Sequence, residues 1–303
     1  MLPVSRNNPF MLYLCTLLVA VLLACAPQNA GENKSRVFQQ GGIPQPTLLR
    51  SCNDFDLDWM GQHFELGPKI GAGVSGTVYA LRLADQESDD YVVKVMGSLT
   101  KEKAFIEVTD EVRVFNEFAG FFAPTWYKGL YEFRGDDQFT GFFSLAFKKK
   151  VIGPTAFEVI HDSEIGLSPS TLFSKFIEFK FNLIKHMVYM AKHHQVYIWD
   201  LHLHNLMYDK VLKKWLFVDA NRIEGFDAFV TKLKAIKDNP RNFKSHKFYE
   251  EFITFLTKNR DEQDAAFFDS YLNFYLGRFE EDLRIAAKNF PDGLSGLFEV
   301  INN

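Results

Sequence analysis

The residues best suited to chemistry lie in the second half of the chain, where two acids and an amide flank short apolar runs. Asp200 and Asn205 have the spacing D-x-x-x-x-N, and the apolar residues 206–208 follow them. A second apolar run, 215–218, ends at Asp219. Asn and Asp oxygens are hard ligands that suit Mg²⁺, and a further carboxylate can accept the proton of an attacking hydroxyl. Two short strands that deliver these side chains to one place would support metal-dependent phosphate chemistry.

A glycine-rich segment earlier in the chain is suited to hold phosphates. Residues 71–78 read GAGVSGTV, which fits G-x-G-x-x-G-x-V. The next residues are largely apolar and form a short run, which predicts a strand after the glycines. A dinucleotide-binding fold would have a helix there, whereas a kinase loop has a strand on both sides. Backbone without Cβ lets such a turn approach phosphates and present its N–H groups. The candidate cofactor-binding positions are Gly71, Gly73, Ser75, Gly76 and Val78.

Two further charged residues lie in elements that would position them. Residues 91–95 read YVVKV, a short β-branched strand with Lys94 at its centre. A charge in that position is costly unless it is paired or faces a ligand. Residues 103–118 carry apolar side chains at a helical spacing, which predicts a helix that contains Glu111. We select Glu111 among the glutamates of this helix because the apolar pair Val114-Phe115 follows it and would anchor the helix.

The order of these parts resembles the protein-kinase superfamily, strongly over residues 62–226 and weakly beyond. The resemblance implies a two-lobed α+β fold with a small β-rich N-lobe that holds one helix, and a reduced, mainly helical C-lobe. It implies ATP and Mg²⁺ as cofactors. The implied catalytic residues are the base Asp200, the phosphate-binding Lys94 and its partner Glu111. The implied metal ligands are Asn205 and Asp219.

Several positions depart from the family pattern. Ile198-Trp199-Asp200 stands where the family has His-Arg-Asp, so the arginine that usually binds a phosphorylated activation loop is missing. Asp219-Ala220-Asn221 stands for Asp-Phe-Gly, and we expect Asn221 to keep the turn because Asn tolerates φ > 0. His202 occupies the place of the catalytic-loop lysine and is assigned to cofactor binding. Residues 219–228 contain no Ser, Thr or Tyr, so we expect activity without activation-loop phosphorylation.

The N-terminal residues predict an exported protein. Residues 1–25 have one early charge and an apolar centre shorter than the roughly 20 residues of a membrane span, which is typical of a signal peptide. Leu22-Leu23-Ala24-Cys25 resembles the lipobox of bacterial lipoproteins, with cleavage by ordinary signal peptidase and an uncleaved anchor as the alternatives. We expect a flexible tether over 26–60, an N-lobe over 61–150 and a C-lobe over 151–303. The protein would be a membrane-anchored lipoprotein or secreted.

Composition excludes other classes of protein. The 303 residues are 47% apolar and 16% aromatic, enough for a substantial core, and the net charge is −4 without a long basic run. This charge pattern argues against nucleic-acid binding.

The function expected is an ATP- and Mg²⁺-dependent protein kinase, with Ser or Thr acceptors favoured over Tyr, whose protein substrate could belong to a host cell. Two alternatives stay open: transfer to a small-molecule hydroxyl, because D-L-H-x-x-N also resembles aminoglycoside and choline phosphotransferases, and a nucleotide-binding pseudokinase.

Overall fold

The fold is α+β: of the residues that the structure describes, 44% are helical and 34% lie in strands. The computed structural model describes residues 46–49, 55–73, 76–84, 86–134, 140–161, 166–237 and 246–290. The chain divides into two compact units. Unit 1 comprises Met1–Thr109 and Trp126–Lys148, and unit 2 comprises Asp110–Thr125 and Lys149–Asn303. The predicted signal peptide and Cys25 lie outside the described residues.

Unit 1 is built on a mixed β-sheet. Its strands are β1 (Thr47–Leu49), β2 (Asp58–Trp59), β3 (Gln62–His63), β4 (Glu65–Ala72), β5 (Thr77–Leu83), β6 (Gln86–Ser98), β7 (Thr125–Arg134) and β8 (Thr140–Lys149). Six of them form one sheet in the order β1-β7-β8-β6-β5-β4, while β2 and β3 pair with each other. The predicted strand 91–95 is confirmed as part of the longer β6.

The tether predicted over 26–60 is contradicted at residues 46–49 and 55–60, the part of it that the structure describes. Strand β1 pairs in parallel with β7, and Leu49 is buried. Phe55 and Leu57 also belong to the apolar core of unit 1, where Phe55 meets Tyr131 edge to face with ring centroids 5.2 Å apart. These few apolar side chains are enough to fix the segment to the sheet, although the sequence around them is polar and shows no period. Residues 26–45 lie outside the described part of the chain.

Unit 2 is mainly helical. Helix α1 (Lys101–Glu117) crosses the division, and its residues from Asp110 onward belong to this unit. The other helices are α2 (Ala156–His161), α3 (Pro169–His194), α4 (Phe226–Lys237), α5 (His246–Lys258) and α6 (Ala265–Asn289). Two pairs of short antiparallel strands pack on them: β9 (Val196–Trp199) with β12 (Asn221–Glu224), and β10 (Leu206–Asp209) with β11 (Lys214–Phe217). None of the helices in the described ranges has the length and apolar character needed to cross a membrane.

Helix α3 is the central element of the unit 2 core. It begins after Ser168 with Pro169 in its first turn, where the missing N–H of proline costs nothing. It ends at Gln195, whose left-handed backbone returns its N–H to the helix. Its buried side chains include Phe176, Leu183 and Met187. The indole N–H of the fully buried Trp215 donates to the Leu172 carbonyl at 3.1 Å, which ties β11 to this helix.

Candidate functional site

Strand register brings Asp200, Asn205 and Asp219 of unit 2 to the neighbouring ends of two antiparallel strand pairs. In the β9–β12 pair, Trp199 is opposite Asn221. The paired region therefore ends immediately before Asp200 on β9 and begins immediately after residues 219–220 on β12. In the β10–β11 pair, Leu206 is opposite Phe217, so Asn205 precedes one strand and 218–219 follow the other. Asp219 therefore lies on the short link between β11 and β12. Asp200 and Asn205 lie on the loop between β9 and β10, which faces that link.

Backbone hydrogen bonds fix that arrangement. The Asn205 amide N–H donates to the His202 carbonyl at 3.0 Å, which closes a tight turn in the loop 200–205. The Val218 N–H donates to the Asn205 carbonyl at 2.8 Å, which ties this loop to the residue before Asp219. The Asn205 side chain donates through Nδ2 to the Asp200 carbonyl at 3.1 Å. Since Nδ2 is used in this way, Oδ1 is the atom that Asn205 offers to a cation.

Asp200 has a left-handed backbone, with φ of 69°. The residue expected to adopt positive φ was Asn221, and this expectation is wrong: Asn221 starts strand β12 and pairs with Trp199, which requires extended backbone. Just before Asp200, the Tyr271 hydroxyl donates to the Ile198 carbonyl at 2.7 Å. Burial raises the pKa of Tyr271 far above its usual value, so this phenol stays protonated and keeps donating.

A row of rings extends from Asp200. His202 Nε2 lies 3.7 Å from Asp200 Oδ1, while His202 Nδ1 is buried and accepts or donates no hydrogen bond among the described residues. The His204 ring stacks on Phe157 with centroids 4.3 Å apart, and Phe157 also contacts His161 at the same centroid separation. Burial, and then the neighbouring His202, lower the pKa of His204. His202 is therefore close enough to Asp200 to influence what approaches its carboxylate.

The glycine-rich segment of unit 1 is a hairpin turn between two strands, as predicted. Gly71 is opposite Val78 and Ala72 is opposite Thr77, and the Gly73 N–H donates to the Gly76 carbonyl at 2.8 Å. A Cβ at Gly71 or Gly73 would meet nothing within 4 Å, so the backbone here is open to a close approach. The candidate residue Ser75 lies outside the described residues.

Lys94 lies on the strand next to this turn. It is opposite Val78 in the β5–β6 register and is only 3% exposed, so it is held beside the glycine hairpin. The helix predicted over 103–118 is confirmed as α1, with small differences at its ends, and Glu111 is 9% exposed within it. Val114 packs into the unit 2 core, as the anchoring argument requires. Lys94 belongs to unit 1 and Glu111 to unit 2.

The donor set fits a nucleotide-bound Mg²⁺ better than a metal held by protein alone. Among the described residues no group of three or more His, Cys, Asp and Glu could hold a metal ion. Two carboxylates, those of Asp219 and Asp200, and one amide oxygen, from Asn205, lie at these strand ends. Mg²⁺ in phosphate-transfer sites is bound by one or two carboxylates, with phosphates and water as the other ligands.

No protein-family model and no curated protein sequence matches this chain. A cavity of about 490 Å³ in unit 2, lined by Lys192, Arg260 and the start of α4, contains none of the predicted site residues.

Three features of the site were missed or misjudged from sequence. Strand β12 was not predicted, because its four residues are polar or half-buried and gain their partner only from β9. The role of Tyr271 depends on a contact far along the chain, which no local pattern reveals. The burial of Lys148, which is 7% exposed, was not predicted, because it depends on the place of β8 inside the six-stranded sheet.

Proposed function

We propose that the protein is an ATP- and Mg²⁺-dependent kinase that transfers the γ-phosphoryl group to a protein hydroxyl, with Ser or Thr favoured over Tyr. In this proposal the two units are the N- and C-lobes of a kinase-like fold. The observation that carries it is the register of the two strand pairs in unit 2, which brings Asp200, Asn205 and Asp219 to neighbouring strand ends. The order strand, glycine turn, strand and buried lysine in unit 1 supports it independently.

Each residue has a definite task in this proposal. The open backbone of Gly71 and Gly73 approaches the phosphates, and Lys94 neutralises their charge with Glu111 as its partner. Asn205 and Asp219 hold Mg²⁺, which offsets charge that develops on the transferred group. Asp200 accepts the proton of the attacking hydroxyl. His202 contributes positive charge toward the phosphates when its imidazole is protonated.

Transfer to a small molecule is the second candidate, and two observations favour it. His202 lies beside Asp200, in a loop of the D-L-H-x-x-N type. No Ala-Pro-Glu sequence follows Asp219, so the element that supports peptide substrates in protein kinases is not present in that form. A pseudokinase that binds nucleotide without turnover is the third.

Thermal unfolding with ATP, with and without Mg²⁺, tests nucleotide binding first. A ligand present at 100 times its Kd stabilises the native state by about 2.7 kcal/mol, a shift of several degrees. We expect this shift in the wild type, its loss in Lys94→Met, and loss of its Mg²⁺ dependence in Asp219→Asn. Asp261→Asn, which changes an exposed acid in unit 2, is the matched control and should behave as wild type.

Transfer assays with γ-labelled ATP then separate the candidates. Label on generic Ser/Thr acceptor proteins supports the protein kinase, and ATP consumption that needs an aminoglycoside or choline supports the small-molecule enzyme. A thermal shift without turnover on any acceptor supports the pseudokinase. Absence of any ATP-dependent shift in the wild type would overturn the proposal as a whole.

A further inference from the structure

The C-terminal end of α1 is held by an ion-pair cluster that catalysis, as proposed above, does not use. Arg222, on β12, donates from Nε and Nη2 to the two carboxylate oxygens of Glu117 at 2.6 and 2.9 Å. Its Nη1 donates to Glu224. We call these three residues the Arg222 clamp. The fork geometry of a bidentate arginine–carboxylate pair fixes direction as well as distance.

Burial makes this clamp stronger than an ordinary surface pair. The Arg222 side chain is 10% exposed and that of Glu117 is 26% exposed, so solvent screens the pair only in part. The surroundings are crowded with charge: burial raises the pKa of Asp110, while Arg113 and Arg222 lower it. Removing Arg222 would therefore leave several acids on α1 and β12 without their main partially buried cation.

A second contact holds the same end of the helix. His186, on α3, donates from Nε2 to the Glu117 carbonyl, and its ring meets Phe118 edge to face with centroids 5.0 Å apart. Phe118 is fully buried in the unit 2 core. The end of α1 is thus attached to β12 through a side chain and to α3 through its backbone. Glu111 lies on the same helix, less than two turns before Glu117.

We propose that Arg222 is a positioning residue, which fixes the end of α1 and thereby holds Glu111 in place for its partner. The proposal rests on the proposed function, in which Glu111 pairs with Lys94. In this arrangement Arg222, the first cation after Asp219 in the sequence, has the Glu117 carboxylate as its permanent partner and does not need a phosphorylated loop residue. Helix placement is then built into the fold, in line with the expectation of activity without loop phosphorylation.

Hydrogen–deuterium exchange tests the clamp without depending on activity. Peptides that cover 110–118 should exchange faster in Arg222→Gln and in Glu117→Gln than in the wild type. Arg284→Gln is the matched control, because Arg284 makes a similar two-bond pair with Glu281 on the exposed face of α6. It should leave exchange in 110–118 unchanged. Equal exchange in Arg222→Gln and wild type would overturn the clamp.

Kinetics test whether the clamp acts through Glu111. We expect kcat to fall about 10- to 100-fold in Arg222→Gln, the range in which misplacement of a catalytic group acts, with partial recovery in Arg222→Lys. In a Glu111→Gln background, Arg222→Gln should lower kcat no further, because the two changes remove the same function. A merely structural arginine would lower it in both backgrounds. If Arg222→Gln exchanges faster than the wild type but the wild type shows no transferase activity, the clamp is kept and the proposed function is rejected. An active enzyme whose kcat does not change in Arg222→Gln would reject the positioning role.

Discussion

Asp200 combines an unusual backbone with an essential proposed task. A non-glycine residue at φ of 69° is uncommon, although Asp and Asn tolerate this region better than other side chains. Hydrogen bonds on both sides keep it there: Asn205 donates to its carbonyl, and Tyr271 donates to the carbonyl of Ile198. Strained backbone of this kind persists where the surroundings determine it, and it is concentrated at functional sites.

Substitutions at Asp200 should separate strain from chemistry. Asp200→Asn should keep the free energy of unfolding within about 0.5 kcal/mol of wild type, because Asn accepts positive φ. Asp200→Ala should be less stable by about 1 kcal/mol, because its Cβ is strained in the left-handed region. Both should abolish phosphoryl transfer. Urea unfolding and transfer assays measure the two effects, and equal stability of the Asn and Ala variants would contradict the strain argument.

His204 should make stability depend on pH. Burial lowers its pKa, as does His202, while Glu158 opposes this effect and His161 adds to it. The folded protein then binds fewer protons than the unfolded chain, whose histidines titrate near 6.5. The stabilising contribution is complete above about pH 6.5 and is lost as pH falls through the lowered pKa.

Replacement of His204 by a ring that cannot titrate tests this dependence. His204→Phe keeps a ring against Phe157. Between pH 7.5 and 5, its free energy of unfolding should fall less steeply than that of the wild type. His194→Phe, at the exposed end of α3, is the control and should follow the wild-type slope. Parallel curves for His204→Phe and wild type would show the inference to be wrong.

At the scale of elements, the glycine hairpin uses its glycines for two different reasons. A Cβ at Gly76 would lie 2.5 Å from the Val95 carbonyl oxygen, so this glycine is required for β5 and β6 to pack beside Lys94. A Cβ at Gly71 would meet nothing within 4 Å. The first glycine therefore serves the fold, and the second leaves space for a ligand.

The two glycines should respond differently to the same substitution. Gly76→Ala should destabilise the protein by about 1–3 kcal/mol, because backbone must move to admit the methyl group. Gly71→Ala should change stability by less than about 0.5 kcal/mol yet weaken ATP binding, since its methyl group occupies the approach to the phosphates. Urea unfolding and nucleotide titration give the two readouts. A stable Gly76→Ala protein would mean that β6 yields easily at Val95.

Elements with a strong local pattern could be predicted, and those that depend on distant partners could not. The strands that flank the glycine turn, the strand of Lys94 and helices α1 and α3 follow from apolar period and turn residues. Strand β12 and the segment 47–59 have no such period, because their partners are β9, β7 and the unit 1 core. The proximity of Asp200, Asn205 and Asp219 was predicted from spacing. The pairing of Arg222 with Glu117, which is remote in sequence, required the fold.

At the scale of the whole molecule, unit 2 depends on the packing of its two longest helices. Lys180 on α3 is 7% exposed and pairs with Asp269 at 2.8 Å and Glu280 at 2.6 Å, both on α6. Its Nζ also donates to Asn273 at 2.6 Å. The ammonium thus has all three of its protons used, which offsets much of the cost of burying it.

Removal of that ammonium should weaken unit 2 without touching the proposed site. Lys180→Met keeps most of the side-chain volume but leaves two acids facing each other. We expect a loss of about 1–3 kcal/mol, below the 3–5 kcal/mol of a fully buried pair, because Asp269 and Glu280 stay partly in water. Calorimetry measures it, with Lys175→Met as the control, since Lys175 pairs with Glu178 on an exposed face. Equal melting temperatures for both variants would mean that the pair contributes nothing.

The four tryptophans give each unit its own optical reporters. Trp59 and Trp126 lie in unit 1 with ring centroids 5.7 Å apart, close enough for their excited states to couple and to shape the near-ultraviolet circular dichroism. Trp215 is fully buried in unit 2, so its emission should be blue-shifted while that unit is folded. Trp199 directly precedes Asp200 and has the Lys232 ammonium 4.5 Å from its ring centroid. Its emission should therefore respond to charge that arrives near Asp200. Melting of either unit, and the arrival of a polyanion beside Asp200, thus have separate spectral signatures.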